Sequence, residues 1–142
     1  MRKILFLTLI GLAILSCSKD DDNENPVNCD FETLISTEQY ANAPSDQLNV
    51  NSIEINGNCL KINFSASGCD GNSWEVKLID SEQIMKSNPL QRNLRLSLEN
   101  NEDCTAVPGK TLTFDISELQ ILDDNQVYLN ITNSDDQILY QY

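Results

Sequence analysis

The sequence predicts an all-β fold, a single antiparallel sandwich of about seven strands. From residue 29 onward, short runs of residues alternate between apolar and polar types, which is the two-residue period of a half-buried strand. Stretches rich in Asn, Asp, Gly and Ser separate these runs, and those residue types favour turns. Runs of this kind recur up to residue 142, so the chain reads as one β domain over 29–142.

The clearest strand pair lies on either side of Asn56-Gly57, a dipeptide typical of two-residue β-hairpins. Such a turn would pair residue 55 with Asn58, Glu54 with Cys59 and residue 53 with residue 60. The apolar side chains of strands 52–55 and 58–64 would then share one buried face, with Cys59 on the opposite face. These apolar residues are Ile53, Ile55, Leu60, Ile62 and Phe64.

Five further strands complete the predicted sandwich, which is immunoglobulin-like in broad terms. They cover 73–79, 92–99, 110–116, 126–132 and 137–142. Ser117 is expected to cap a single helical turn, and 133–136 looks like the turn of a last hairpin. Trp74 is in phase with the apolar residues of its strand, which favours core packing over an exposed stacking surface.

The first 16 residues are typical of an export signal. Arg2 and Lys3 precede an apolar run over 4–15, which is too short for a membrane-spanning helix of about 20 residues. The run ends in Ile-Leu-Ser-Cys, which resembles the lipobox of bacterial lipoproteins. This resemblance implies that the lipoprotein-processing machinery acylates Cys17 and cleaves before it, so that the lipid anchors the protein in a membrane. The alternative is an ordinary secretory signal followed by a cysteine.

An acidic block follows the predicted lipidation site: Ser18, Lys19, Asp20, Asp21 and Asp22. It has no apolar residue to bury, so 17–28 is expected to be a disordered, solvated tether. The block also resembles the export signal that follows the lipid cysteine in Bacteroidota lipoproteins. That resemblance implies an outer-membrane, surface-facing location and a role for the export machinery. A tether facing the periplasm is the alternative.

A second resemblance covers residues 58–119. The stretches "NCLKINFSASGCDGNSWEVKLID", "SNPLQRNLRLSLENNEDCTA" and "LTFDISELQ" resemble a small cysteine-containing domain of Bacteroidota lipoproteins. The resemblance brings no activity with it.

Charge excludes one class of function. The chain has 9 basic and 22 acidic residues, a net charge of −13 at pH 7. Loss of the signal peptide would remove Arg2 and Lys3, leaving seven basic residues and a net charge of −15. Such a chain is repelled by phosphate, so nucleic acid is not an expected partner.

Four cysteines remain after Cys17, an even number that indicates two disulfides in an exported protein. We favour Cys29–Cys59 and Cys69–Cys104 among the three possible pairings, and Cys59–Cys69 is a rival pair. The cysteines lack the spacing of zinc fingers, and the chain has no histidine. No metal site and no cofactor are therefore expected.

The lack of histidine also removes serine and cysteine triads, and the usual nucleophile and nucleotide motifs are absent from the sequence. Two interpretations remain. The favoured one is a non-catalytic binding or accessory module for a glycan, a peptide or a partner such as an outer-membrane protein. The other is a small carboxylate-dependent glycan hydrolase, which needs only two acidic side chains in a cleft.

Overall fold

Two β-sheets packed face to face form the domain, and the computed structural model describes residues 28–142. The predicted signal peptide, Cys17 and the acidic block at 18–22 lie outside the described residues. The elements in chain order are β1 (Phe31–Glu32), β2 (Leu34–Ile35), α1 (Thr37–Asn42), β3 (Asn49–Asn56), β4 (Cys59–Ser65), β5 (Glu75–Met85), β6 (Gln91–Glu99), β7 (Gly109–Asp115), a 3-10 turn (Ser117–Leu119), β8 (Gln126–Ile131) and β9 (Asp136–Gln141).

Sheet A has the strand order β1-β7-β4-β3, and sheet B has the order β2-β5-β6-β8-β9. The predicted all-β sandwich is confirmed, and each of the seven predicted strands is present. Two strands of two residues each, β1 and β2, were not predicted. Their brevity explains this, because two residues show no alternation.

The sheets are mixed rather than purely antiparallel. Four pairings are antiparallel, whereas β1–β7, β2–β5 and β6–β8 are parallel. The β6–β8 pairing arises because the intervening β7 belongs to the other sheet, so the chain returns to sheet B in the same direction. Parallel neighbours need such a crossover, and local turn signals do not reveal it.

The predicted β3–β4 hairpin has its turn one residue too early, so each cross-strand partner is displaced by two residues. Asn56 pairs with Cys59 and Ile55 with Leu60, so the turn is Gly57-Asn58. Gly57 has φ +58°, a conformation that glycine adopts without strain. The observed register places Ile55 opposite Leu60 and Ile53 opposite Ile62. Two apolar cross-strand pairs stabilise it better than the single such pair of the predicted register.

The inward faces of the two sheets form one core, which also contains the 3-10 turn. Trp74 is 8% exposed and its ring lies 6.0 Å from that of Phe64, so the predicted core position is confirmed. The fully buried members of this core include Leu60, Ile62, Phe64, Leu78, Leu94, Leu98, Phe114, Ile116, Leu119, Leu129 and Tyr140.

Both favoured disulfides are present. Cys29 bonds to Cys59 with a Cα–Cα distance of 5.6 Å, and Cys69 bonds to Cys104 at 4.8 Å. Since Leu60 points into the core, the adjacent Cys59 points to the outer side of sheet A. The first bond therefore holds the N-terminal segment on that outer side. The second joins the β4–β5 connection to the β6–β7 connection, both of which pass between the sheets.

Candidate binding face

The outer side of sheet B carries a group of uncharged side chains that all reach solvent. We call this group the amide face. Its nine members are Met85, Gln91, Asn93, Gln126, Tyr128, Asn130, Gln137, Leu139 and Gln141.

Strand alternation places these side chains outward. In β8, for example, Val127, Leu129 and Ile131 are fully buried in the core, so Tyr128 and Asn130 between them point the other way. The same alternation operates in β6 and β9.

The strand register aligns seven of the nine residues in two rows across the sheet, and Gln126 and Gln141 pair with each other beyond them. In the first row Met85 is opposite Gln91, which is opposite Tyr128, which is opposite Leu139. The second row is Asn93, Asn130 and Gln137.

Hydrogen bonds among the amides hold the two rows together. The Asn130 Nδ2 donates to Gln91 Oε1 and to Asn93 Oδ1, both at 3.1 Å. The Gln137 Nε2 donates to Asn130 Oδ1 at 2.7 Å, and the Gln91 Nε2 donates to Ser87 Oγ at 3.0 Å. Because these hydrogen bonds connect Gln91, Asn93, Asn130 and Gln137, the amides at the centre of the face are arranged in advance of any ligand.

The two arginines of β6 are kept off this face. Arg92 points into the sandwich and donates from Nε and a terminal nitrogen to the Asp80 carboxylate, at 3.0 and 2.8 Å. Arg95 points outward but donates to the carbonyls of Gln39 and Ala43, both at 3.0 Å. These carbonyls lie at the C-terminal end of α1. The amide face is consequently neutral although its central strand contains two cations.

Helix α1 lies on another part of the outer side of sheet B, where Arg95 of β6 contacts it. It starts at Ser36, whose hydroxyl accepts from the Gln39 N–H at 3.2 Å, a standard N-terminal cap. The Tyr40 hydroxyl lies 2.9 Å from the Thr132 hydroxyl, next to the amide face. The helix thus borders the amide face without covering it.

Two depressions near β1 and β7 bear on the hydrolase interpretation. The smaller has a volume of about 60 Å³ and is lined by Glu32, Thr33, Asp115, Ser117 and Glu118. That volume is well below the several hundred Å³ of typical ligand pockets.

The neighbouring depression measures about 320 Å³, and acidic residues line it as well. Its Asp30 carboxylate accepts from Thr113 N at 2.9 Å and from Thr113 Oγ1 at 2.8 Å. The Asp115 Oδ1 accepts from the Ser117 N–H at 2.8 Å. These carboxylates fasten the N-terminal segment and the 3-10 turn, a structural role.

Two further findings concern metals and membranes. Within residues 28–142 there is no group of three or more His, Cys, Asp or Glu side chains placed to hold a metal ion. In the same part of the chain, none of the helices has the length and apolar character needed to cross a bilayer.

Glu102 is a structurally important residue that the sequence analysis missed. Its carboxylate accepts from the backbone N–H groups of Cys69 and Gly71 at 2.6 and 3.0 Å, and from the Ser73 hydroxyl at 2.9 Å. Burial raises the pKa of this carboxyl, but these hydrogen bonds lower it more, to about 2. Glu102 therefore fastens the same pair of connections as the Cys69–Cys104 disulfide.

The sequence analysis also missed the amide face. The signal that could have revealed it is that every outward position of "QVYLN" and "QILYQ" is uncharged, with Gln or Asn at both ends of each stretch, where a soluble strand usually mixes in charges. Of the site residues that were predicted, the four domain cysteines form their disulfides, while Cys17 and 18–22 lie outside the described residues.

Comparison with known proteins places the fold among structures from Bacteroides and Parabacteroides. No protein-family profile matches the sequence, and no curated protein matches it. A NigD-like immunity protein from Bacteroides caccae is similar, with a TM-score of 0.58, 9% identity, and coverage of 78% of this chain and 64% of that one.

Two other solved structures are also similar. A protein of unknown function, DUF1344, from Bacteroides vulgatus has a TM-score of 0.52 at 11% identity, over 79% of this chain and 55% of that one. A toxin-related protein from Parabacteroides distasonis has a TM-score of 0.51 at 14% identity, over 79% and 60%. This chain spans less than two thirds of the length of each. At these identities the likeness shows a shared fold, in agreement with the Bacteroidota resemblance of the sequence.

Proposed function

We propose that this protein is a non-catalytic binding module that contacts its partner through the amide face. One observation carries the proposal: nine neighbouring, solvent-reaching side chains are all uncharged in a chain with a net charge of −13. Tyr128 and Met85 add apolar surface to this uncharged face, on which a partner can pack.

The shape of the face supports binding over catalysis. It is the surface of a sheet, whereas small-molecule and catalytic sites are concave. The names of two fold neighbours also support binding. One is named as an immunity protein and another as toxin-related, and neither name describes an enzyme.

The position of the N-terminal segment supports display of the amide face to the outside. Cys59 holds Cys29 on the outer side of sheet A, whereas the amide face is the outer side of sheet B. A tether that starts at a lipid on Cys17 would thus reach the domain from the layer opposite the amide face. Anchoring in the outer membrane, with the domain on the cell surface, is part of this proposal.

A photo-cross-linking amino acid tests the proposal in intact cells that produce the full-length protein. Benzoylphenylalanine replaces Gln137 on the amide face in one variant. In the matched control it replaces Thr111, an exposed residue on the outer side of sheet A. Illumination is expected to add a partner to the Gln137 variant and none to the control. Equal labelling of both variants, or no product at Gln137, would show that the amide face is not the binding surface.

A further inference from the structure

We infer that the ligand of the amide face is a neutral polysaccharide. This inference rests on the proposed function and names the chemistry of the partner. It follows from three properties of the face: its lack of charge, its mixture of donors and acceptors, and the position of Tyr128.

The lack of charge selects against ionic ligands. A carboxylate, sulfate or ammonium group that bound here would lose water without gaining a counter-charge, and burying an unpaired charge is costly. A polyol meets no such penalty, because each of its hydroxyl groups exchanges water for a neutral hydrogen-bond partner.

The amides offer both kinds of partner that a sugar hydroxyl needs. A hydroxyl donates one hydrogen bond and accepts up to two, and a side-chain amide presents an NH₂ donor and a carbonyl acceptor. The Asn130 Nδ2 is occupied within the network, but the Asn93 Nδ2 contacts only the weak acceptor Met85 Sδ, at 3.9 Å. The Gln137 Oε1 accepts no hydrogen bond from residues 28–142. The oriented network therefore keeps a donor and an acceptor directed to an incoming hydroxyl.

Apolar surface lies beside these amides. Tyr128 sits between Gln91 and Leu139 in the first row, and Met85, which is 37% exposed, ends that row. A sugar ring has hydroxyls at its edge and C–H groups on its faces. Packing a C–H face on the Tyr128 ring removes apolar surface from water while the ring edge meets the amides.

The extent of the face suits a chain of sugars. The first row spans four strands, which at about 4.8 Å between neighbouring strands gives roughly 14 Å. This length exceeds a single sugar ring. A protein partner is less well matched, because protein interfaces rely on Trp, Tyr and Arg anchors set into pockets, and this row offers one Tyr.

Affinity electrophoresis of the detergent-extracted full-length protein tests the inference. Native gels contain dextran, mannan or xylan as neutral probes, and polygalacturonate as the charged control. At least one neutral polysaccharide is expected to retard the protein, and polygalacturonate is not. Tyr128→Ala should weaken the retardation roughly tenfold, equivalent to about 1.4 kcal/mol of binding free energy. Tyr128→Phe keeps the ring and should retain binding, and Thr111→Ala on sheet A should have no effect.

The outcomes separate this inference from the proposed function. Failure of all three neutral polysaccharides to retard the protein would overturn the inference, as would stronger retardation by polygalacturonate. If the Gln137 cross-link then contains a protein or a second copy of this chain, the binding face stands and its ligand is not a polysaccharide. If no cross-link forms either, both proposals fall.

Discussion

The outer side of sheet A and the amide face of sheet B differ in how they carry charge. On sheet A, Lys61 and Glu54 form an ion pair in solvent, with a distance of 3.3 Å and side chains 48% and 66% exposed. On sheet B, Arg92 is turned into the sandwich and Arg95 is bonded to the end of α1. The amide face is therefore neutral even though its central strand contains two arginines. Neither arginine side chain reaches the face, because each is held by a partner elsewhere.

A β-bulge in β5 lies next to the buried pair of Arg92 and Asp80. The register of β5 against β6 shifts between Asp80 and Ile84, and Glu82 within the bulge has φ +65°. The Glu82 N–H donates to Asp80 Oδ1 at 2.8 Å. The extra residues bend the strand, as bulges do, and leave the Asp80 carboxylate facing Arg92 at the end of the core.

The largest expected effect comes from breaking the buried pair of sheet B. Arg92→Ala leaves Asp80, which is fully buried, without its cation. We expect a loss of about 3–5 kcal/mol in the free energy of unfolding, measured by urea denaturation. The double variant Asp80→Leu with Arg92→Met should recover most of this loss, because it removes both charges. A loss below about 1 kcal/mol in the single variant would contradict the structure.

The next largest effect is expected from removing the disulfide that holds the N-terminal segment on the outer side of sheet A. Replacing Cys29 and Cys59 by Ala opens a loop closed over a sequence separation of 30 residues. The loop-entropy argument predicts a loss of about 3–4 kcal/mol in the free energy of unfolding, measured by thermal denaturation. The matched control replaces Cys69 and Cys104, whose separation of 35 residues predicts a similar loss. If the first double variant also abolished cross-linking through Gln137, the two outer sides would not be independent.

Lowering the pH should reveal how much Glu102, which fastens the two connections between the sheets, contributes to stability. Glu102 has a pKa of about 2 in the folded protein against an ordinary value of 4.5. Its stabilising contribution is therefore complete above pH 4.5 and is lost as the pH falls towards 2. Glu102→Gln should lower the Tm at neutral pH and remove this part of the acid dependence. Substitution of the exposed Glu99 by Gln (Glu99→Gln) serves as the control. If the Tm of Glu102→Gln fell with pH in parallel with the Tm of the wild type, the assignment of the low pKa to Glu102 would be contradicted.

The smallest effect is expected for the exposed pair of sheet A. Lys61→Ala should change the free energy of unfolding by less than about 1 kcal/mol, because solvent and salt screen the pair. Adding salt to the wild type should have a similarly small effect through this pair. A loss as large as that of Arg92→Ala would remove the contrast between the two sheets.

Local sequence predicted the strands well, because each strand shows its alternation within a few residues. Trp74 was placed correctly for the same reason, and the two favoured disulfides are the ones that form. The hairpin turn was predicted one residue too early, which displaced each cross-strand partner by two residues. The Asn-Gly signal locates a turn, but the cross-strand pairing of Ile53 and Ile55 decides which two residues form it.

The sequence by itself thus determined the class of fold and the positions of seven strands, and it favoured one set among the three possible cysteine pairings. Only the tertiary structure decided that β6 and β8 are parallel neighbours, that Arg92 finds Asp80 across the bulge, and that amides from three strands form one face. The physical reason is separation along the chain. Asn93 and Asn130 are 37 residues apart, and no local propensity links them. They meet because burying the alternate apolar residues of both strands in one core leaves their amides side by side on its outer surface.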